Sequence, residues 1–155
     1  MVRRSVRTAS VVLACAAAMS AAGTTAAVAQ TPARGAACST SQSLQITGLS
    51  FQPPAVYPGQ TSEATATVLN CTGQPQQASA QWMGRWIGSS PGIPAGCPVI
   101  DPIAFPISLA PHAQATSSVG YLVPGSCTAS ALVVTVEIIQ NGAVIAQRSA
   151  QLVIE

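Results

Sequence analysis

Apolar and polar positions alternate with the two-residue period of β-strands over most of this chain. The pattern is clearest between Leu132 and Ile154, where two runs rich in Val and Ile flank Asn141-Gly142. Asn-Gly between such runs predicts a tight hairpin, because both central residues of a type I′ turn need a positive φ. The C-terminal part of the chain is therefore expected to form a pair of antiparallel strands.

Five stretches upstream of this hairpin also predict strands. They are Ser43–Phe51, Gln60–Asn70, Ala78–Trp86, Ile103–Leu109 and Ala113–Val123. The alternation slips by one residue around Gly48, which predicts a β-bulge there. Pro102 and Pro106 place the fourth stretch at a sheet edge, because proline cannot donate to a central ladder. Seven strands with turn signals between them, and no long helical period, predict an all-β antiparallel sandwich.

The order of several short motifs resembles bacterial immunoglobulin-like domains of the CARDB kind. The motifs are Leu49-Ser50-Phe51, Val56-x-Pro58-Gly59, a strand ending in Leu69-Asn70, and Leu109-Ala110-Pro111 before another alternating strand. The resemblance covers most of residues 43–154 and implies a seven-stranded antiparallel immunoglobulin-like sandwich. It carries no catalytic residue and therefore concerns fold rather than function.

The N-terminal 29 residues have the pattern of an export signal. Arginines at the start are followed by an apolar stretch and by the small-x-small site Ala27-Val28-Ala29. The alternative is a lipoprotein acylated on Cys15, since Val12-Leu13-Ala14-Cys15 resembles a lipobox. We expect residues 1–29 to be removed, residues 30–42 to form a flexible lead-in, and residues 43–155 to form one domain. No stable membrane insertion is expected afterwards, because the apolar stretch is too interrupted to span a bilayer.

The charges of the expected mature part exclude one class of partner. Three arginines oppose four acidic residues, and the chain contains no lysine. Nucleic-acid binding relies on clustered cations that neutralise phosphates. We therefore expect no nucleic acid among the partners.

Four cysteines remain after Cys15 is removed with the signal. An even number in an exported chain predicts two disulfides, and four cysteines allow three pairings. If the strands alternate direction as in an immunoglobulin-like sandwich, Cys38 and Cys71 lie at one end of the molecule and Cys97 and Cys127 at the other. This topology predicts the pairs Cys38–Cys71 and Cys97–Cys127.

Residues for catalysis or metal binding are sparse. His112 is the single histidine and sits in a proline turn, and the four acids are scattered along the chain. No G-x-S-x-G elbow, paired carboxylates or convincing ligand set occurs. We expect no enzyme activity, no catalytic residue, no metal and no cofactor.

Two features of the strands carry opposing interpretations. Trp82 and Trp86 share a strand face with small alanines, which favours core packing over a stacking platform for sugar rings. Arg148 falls on the apolar face of its strand, where a lone guanidinium would be costly to bury. We expect either a bulge near Gln147 or an ion pair with Glu137 across the hairpin.

The segment Cys97-Pro98-Val99-Ile100-Asp101-Pro102 is similar to the reactive loop of the Streptomyces subtilisin inhibitor family. In that family a Cys-Pro start and an Asp-Pro end flank the scissile bond. The resemblance implies that Val99 occupies the protease specificity pocket and that Ile100 follows the bond. A disulfide-tethered loop that is already ordered loses little entropy on binding.

These observations predict a secreted, non-enzymatic binding or cell-surface module. Its partner would be an extracellular protein, a glycan or a small molecule, and we expect a monomer or a weak dimer. One alternative is a secreted serine protease inhibitor that uses Val99 and Ile100. Another is a carrier of a small molecule or carbohydrate.

Overall fold

The computed structural model describes Thr31, Pro32, Cys38 and residues 42–155. The predicted signal peptide, the lipobox cysteine and most of the predicted lead-in lie outside the described residues. The strands are β1 (Thr31–Pro32), β2 (Leu44–Gln52), β3 (Ala55–Val56), β4 (Thr61–Asn70), β5 (Gln76–Ile87), β6 (Ile103–Leu109), β7 (Ala113–Leu122), β8 (Ala131–Gln140) and β9 (Ala143–Ile154). The described part of the chain has no helix.

The strands form two sheets, as the alternating pattern predicts. One sheet has the order β1-β7-β4-β2 and the other the order β3-β9-β8-β5-β6. All seven predicted strands are present, and β6 lies at an edge as its prolines require. The count of seven is nevertheless too low, because the two-residue strands β1 and β3 are too short to show a period. The antiparallel prediction is also wrong for one pair, since β3 runs parallel to β9.

The predicted hairpin is confirmed. Asn141 has a φ of 52° and Gly142 a φ of 79°, as a type I′ turn requires. Strands β8 and β9 pair from Gln140 and Ala143 onwards. The ladder runs to Val153, and β8 lies inside the larger sheet, whereas β9 is paired on its outer side only with the short β3.

Each strand of one lateral edge contains a bulge. The register of β2 shifts between Ile46 and Gly48, which leaves Thr47 as the extra residue and confirms the bulge predicted from the slipped alternation. In β9 the residue left out of the ladder is Ile145, two positions before the expected Gln147. Both bulges free backbone carbonyls from regular pairing.

Arg148 does not bond as the sequence predicted. It lies opposite Val136 on β8, whereas Glu137 lies opposite Gln147, so Arg148 and Glu137 point to opposite faces of the sheet. The ion-pair hypothesis is therefore wrong. The guanidinium Nη1 instead donates hydrogen bonds to the carbonyl oxygens of Ile46 and Thr47, both at 3.2 Å.

The core fills the space between the two sheets, and both tryptophans belong to it. Trp82 is 1% exposed and Trp86 6% exposed. This confirms core packing, and it excludes a stacking platform for sugar rings, because neither ring faces solvent. The small Ala64, Ala66 and Ala80 leave room for the large rings. The Trp82 Nε1 is the one fully buried side-chain polar atom in the described residues without a hydrogen-bond partner.

A buried asparagine organises one end of the molecule. The amide of Asn70 donates to the carbonyl oxygens of Gln74, Leu109 and Ala110 at 2.8, 3.3 and 2.9 Å, and its oxygen accepts from the backbone and hydroxyl of Thr72. This network ties the β4–β5 turn to the β6–β7 turn. Residues Asn70-Cys71-Thr72 fit the N-glycosylation pattern Asn-x-Thr, but the Asn70 side chain is fully buried and is not accessible in the folded state.

The disulfides join Cys38 to Cys71 and Cys97 to Cys127, with Cα–Cα distances of 5.6 and 4.4 Å. These are the pairs that the sandwich topology predicts. The first ties the segment before β2 to the end of β4. The second ties the β5–β6 loop to the β7–β8 loop at the opposite end of the molecule.

Candidate functional site

The longest connection between strands of the described chain is the segment between β5 and β6, here called the tethered loop (residues 88–102). It contains prolines at 91, 94, 98 and 102. Proline has no N–H to donate and a fixed φ, so this stretch cannot join a ladder and is biased towards turns and extended backbone. Residues 97–102 have no strand or turn assigned.

The first half of the tethered loop is fixed against the β7–β8 loop. Besides the disulfide of Cys97, the backbone N–H of Thr128 donates to the carbonyl oxygen of Ala95 at 2.9 Å. Gly96 has a φ of 71°, and a Cβ there would collide with the backbone carbonyl of Ser126. Only glycine combines this conformation with so close an approach.

The second half rests on β5 through two contacts. The indole N–H of Trp86 donates to the carbonyl oxygen of Pro98 at 2.8 Å. The side chain of Ile100 lies directly over the backbone of Gly84, where an added Cβ would come within 2.8 Å of Ile100 Cδ1. The peptide before Val99 and the residue after it are therefore both held.

The loop presents two apolar side chains to solvent, one before Cys97 and one between Pro98 and Ile100. Val99 is 71% exposed and Ile93 59% exposed. A hollow of about 380 Å³ lies beside them and is lined by both halves of the loop and by Arg85, Trp86 and Gly84 of β5. Apolar side chains exposed beside a hollow make this loop a candidate contact surface for another protein.

The structure separates the roles of the two residues singled out from the sequence. Val99 projects outwards, whereas Ile100 packs against the domain as an anchor. Sequence reasoning missed Ile93, Trp86 and Gly84. A signal existed for the last two, because a buried indole needs a hydrogen-bond acceptor and a glycine within a strand marks a close approach of another segment.

Reactive groups do not gather elsewhere in the described chain. His112 occupies the β6–β7 turn with a φ of 55°, and its backbone N–H donates to Thr72 O at 3.2 Å. The described residues contain no group of three or more His, Cys, Asp or Glu placed to hold a metal ion. No helix within them is long and apolar enough to cross a membrane.

The pKa values of two tyrosines are raised above the usual value, and the causes differ. Burial raises the pKa of Tyr121 to about 12, and its ring meets that of Phe51 edge to face at a centroid distance of 6.2 Å. The pKa of Tyr57 is raised chiefly by its hydrogen bond to the Glu155 carboxylate. Both phenols lie outside the tethered loop.

Comparisons with known proteins bear on the fold alone. No family model matches this sequence, and no curated protein matches it. Among solved structures, the Pseudomonas fluorescens alkylpurine DNA glycosylase AlkC bound to DNA containing an abasic site analog is 18% identical with a TM-score of 0.52, over 74% of this chain and 31% of that chain. The sporulation control protein Spo0M from Bacillus subtilis is 13% identical with a TM-score of 0.49, over 73% of this chain and 49% of that chain.

A third similar structure is the PapD-like domain 7 of human CEP192. It is 15% identical with a TM-score of 0.38, over 79% of this chain and 91% of that chain. This chain thus spans about a third of the glycosylase and about half of Spo0M. What these comparisons establish is a likeness of fold between most of this chain and part of the glycosylase.

Proposed function

We propose that this protein is an exported, non-enzymatic binding module with an immunoglobulin-like sandwich, and that the tethered loop is its recognition surface. The proposal is carried by one observation, the exposure of Ile93 and Val99 on a loop that a disulfide and β5 hold in place. A surface ordered before binding loses less conformational entropy when a partner docks. Two disulfides are in keeping with an oxidising, extracellular environment.

The partner class that fits this surface is a protein. The loop offers two separated apolar side chains around a shallow hollow, whereas small-molecule sites usually enclose most of their ligand. The carbohydrate alternative depended on Trp82 and Trp86 as a stacking platform, and both are buried. Val99 and Ile93 would act as the anchors of the interface.

The test compares two double variants by cross-linking and pull-down from the native culture medium or cell wall. Ile93→Ser with Val99→Ser removes the exposed apolar groups of the loop. Val144→Ser with Val153→Ser removes similarly exposed apolar groups from β9. We expect a partner to be recovered with the parent and the β9 variant but not with the loop variant. Equal recovery with both variants would contradict the proposal.

A second candidate is substrate-like inhibition of a serine protease, and the geometry around Val99 favours it specifically. The carbonyl oxygen of Pro98 accepts a hydrogen bond from the indole of Trp86. The side chain of Ile100, the residue after Val99, packs on Gly84. Val99 thus projects from a backbone that is fixed on both sides. A protease could bind this segment as substrate while the anchors keep the new ends from separating after cleavage.

Inhibition of subtilisin by the purified protein tests this candidate. We expect inhibition at micromolar protein or below, and a loss of about a hundredfold or more in Val99→Asp, because the specificity pocket would have to accept a charge. Val153→Asp, on β9, is the control and should inhibit like the parent. No inhibition at micromolar protein would remove this candidate and leave the binding-module proposal standing.

A further inference from the structure

The chain contains two asparagines, Asn70 and Asn141, and the structure places them in opposite surroundings. Asn70 is fully buried at the end of β4, whereas Asn141 is exposed in the turn between β8 and β9. An asparagine can react with its own backbone, because the nitrogen of the following residue can attack the carbon of the side-chain amide. The two surroundings therefore predict different chemical fates for the two residues.

Hydrogen bonds protect Asn70 from this reaction. Its amide nitrogen donates to three backbone carbonyl oxygens, and its oxygen accepts from the backbone and hydroxyl of Thr72. The attacking nitrogen would be that of Cys71, whose N–H donates to the carbonyl oxygen of Ser43 at 2.9 Å. Cys71 is also held by its disulfide to Cys38. Ring closure at Asn70 would have to break the bonds of both the leaving group and the nucleophile.

Asn141 lacks both of these protections. Within the described part of the chain, no hydrogen bond engages the side chain of Asn141 or the backbone N–H of Gly142. Gln140 and Ala143 form the last pair of the ladder, and the bond that closes such a turn joins these flanking residues. Gly142 has no Cβ to obstruct an attack by its nitrogen. Both turn residues are exposed, so water reaches the site.

We propose that Asn141 is a site of spontaneous deamidation and that Asn70 is not. The backbone nitrogen of Gly142 bonds to Cγ of Asn141, the bond from Cγ to the side-chain nitrogen breaks, and that nitrogen leaves as ammonia. The proton that the nitrogen of Gly142 gives up is balanced by the proton that the departing nitrogen gains. Water then opens the five-membered imide at one of its two carbonyl carbons, so an amide and water become an acid and ammonia without any oxidation or reduction.

The two products of ring opening have different effects on the hairpin. Attack of water at Cγ restores the original backbone and leaves an aspartate at position 141. Asp-Gly is favoured in a type I′ turn as Asn-Gly is, so this product keeps the turn. Attack at the backbone carbonyl carbon leaves an isoaspartate, whose main chain runs through Cβ and Cγ and is one carbon longer. This product does not fit the two-residue loop, because loop length and turn type fix the register of a hairpin.

The isoaspartate product also disturbs the contacts of Gln140, the residue before Asn141. The side-chain oxygen of Gln140 accepts from the hydroxyl of Ser43 at 3.1 Å. Its amide donates to Gln76 Oε1 at 2.8 Å and to the carbonyl oxygen of Gln77 at 3.2 Å. These bonds join the end of β8 to the start of β5 and to the residue before β2. The tethered loop follows the other end of β5, so deamidation alters the hairpin end of the molecule and leaves that loop unchanged.

The test is incubation of the purified, disulfide-bonded protein for several weeks at physiological temperature. Peptide mass spectrometry measures the conversion of amide to acid, and enzymatic methylation measures isoaspartate. We expect both acid products at Asn141, formed at least about tenfold faster than any acid at Asn70, because the glycine that follows leaves the attack unobstructed. Asn141→Gly is the control, since Gly-Gly also forms a type I′ turn, and should show no modification there. Hydrogen exchange of the aged protein should be faster at residues 139–144 and unchanged at residues 88–102.

A reduced and unfolded sample tests the reason for the contrast. There the hydrogen bonds of Asn70 are lost, so its conversion to acid should become faster than in the folded protein. Equal conversion of Asn70 in the folded and unfolded samples would contradict the protection assigned to it. The proposal is overturned if Asn141 stays unmodified, or if both asparagines are converted at the same rate in protein that circular dichroism shows to be folded. Aspartate without isoaspartate would exclude the imide and overturn the reaction proposed.

Discussion

The two lateral edges of this sandwich differ in how the gap between the two sheets is covered. At the edge formed by β2 and β9, polar side chains cross between the sheets, whereas at the edge formed by β6 and β7 apolar side chains border an open groove. Both edges contain strands whose outer carbonyls and amides lack a full neighbouring strand. The contrast shows that an edge is closed by specific polar contacts and stays open where those contacts are missing.

Bulges explain how the closed edge is formed. The carbonyl of Thr47, the extra residue of β2, accepts from Arg148 of β9. The carbonyl of Ile145, the extra residue of β9, accepts from the Gln42 amide at 3.2 Å. Each bulge thus exposes a carbonyl that a side chain binds, from β9 in one case and from the residue two positions before β2 in the other. The β7 ladder has no bulge and offers no such acceptor.

The largest expected change is in the free energy of unfolding, and it tests where along β6 the open edge ends. Strand β6 passes from the fully buried Leu109 to the partly exposed Phe105 within four residues. Leu109→Ala should lower the free energy of unfolding by about 3 kcal/mol, because a buried cavity remains. Phe105→Ala should lower it by less, about 1–2 kcal/mol, since that ring is already 37% exposed and its removal opens to solvent instead of leaving a closed cavity. Urea denaturation measures both, and equal losses would show that the groove closes over Phe105 in solution.

An intermediate effect is expected from breaking the closed edge. Arg148→Met keeps the aliphatic stem but removes both hydrogen bonds to the β2 carbonyls, which should cost about 1 kcal/mol. Arg85→Met on the exposed face of β5 is the matched control and should change stability by less than about 0.5 kcal/mol. If the two variants were equally stable, the contacts of Arg148 would not stabilise the closed edge.

The smallest effect, absent at neutral pH, concerns the tyrosines near the two edges. Tyr121 on β7 has a pKa raised to about 12 by burial, so the folded state holds its proton more tightly than the unfolded state does. Its contribution to stability is complete below the ordinary pKa near 10 and is lost as the pH rises towards 12. Denaturation in alkali should therefore show a fall in stability over this interval that Tyr121→Phe removes.

Tyr57, which follows β3 beside the closed edge, provides the comparison. Its pKa is raised by the Glu155 carboxylate and should fall in Glu155→Gln, as followed by phenolate absorbance in a Tyr121→Phe background. Unlike the shift of Tyr121, this one should also diminish with added salt. If the pKa of Tyr57 changed neither in Glu155→Gln nor with added salt, the Glu155 carboxylate would not be the cause of its shift.

The sequence predicts the strands well because their signals are local. Asn141-Gly142 and the slipped alternation around Gly48 each depend on neighbouring residues alone, and both features are present. The disulfide pairs followed because strand order fixes which loops share an end of the molecule. The two-residue strand Ala55–Val56 could not be predicted, since its parallel pairing with β9 depends on the complete fold.

The partner of Arg148 and the anchors of the candidate site depend on contacts between distant segments. Arg148 bonds residues about a hundred positions away, and no periodicity indicates which carbonyls a bulge will free. Val99 could be singled out from a short motif, but its exposure depends on how Trp86 and Gly84 seat the residues around it. The groove beside β7 arises from the unequal size of the sheets, which no single segment encodes.

The bridge between Cys97 and Cys127 gives the molecule an unusual tolerance of backbone hydrolysis. A single cut anywhere between these cysteines leaves two polypeptides that remain covalently joined. A cut after Val99 would also leave β5 paired with both β6 and β8 across the break, so the two pieces together still contain every strand of both sheets. Such a nicked molecule would migrate as one species until reductant was added, and proteolysis in this segment would act as a modification of the protein rather than its destruction.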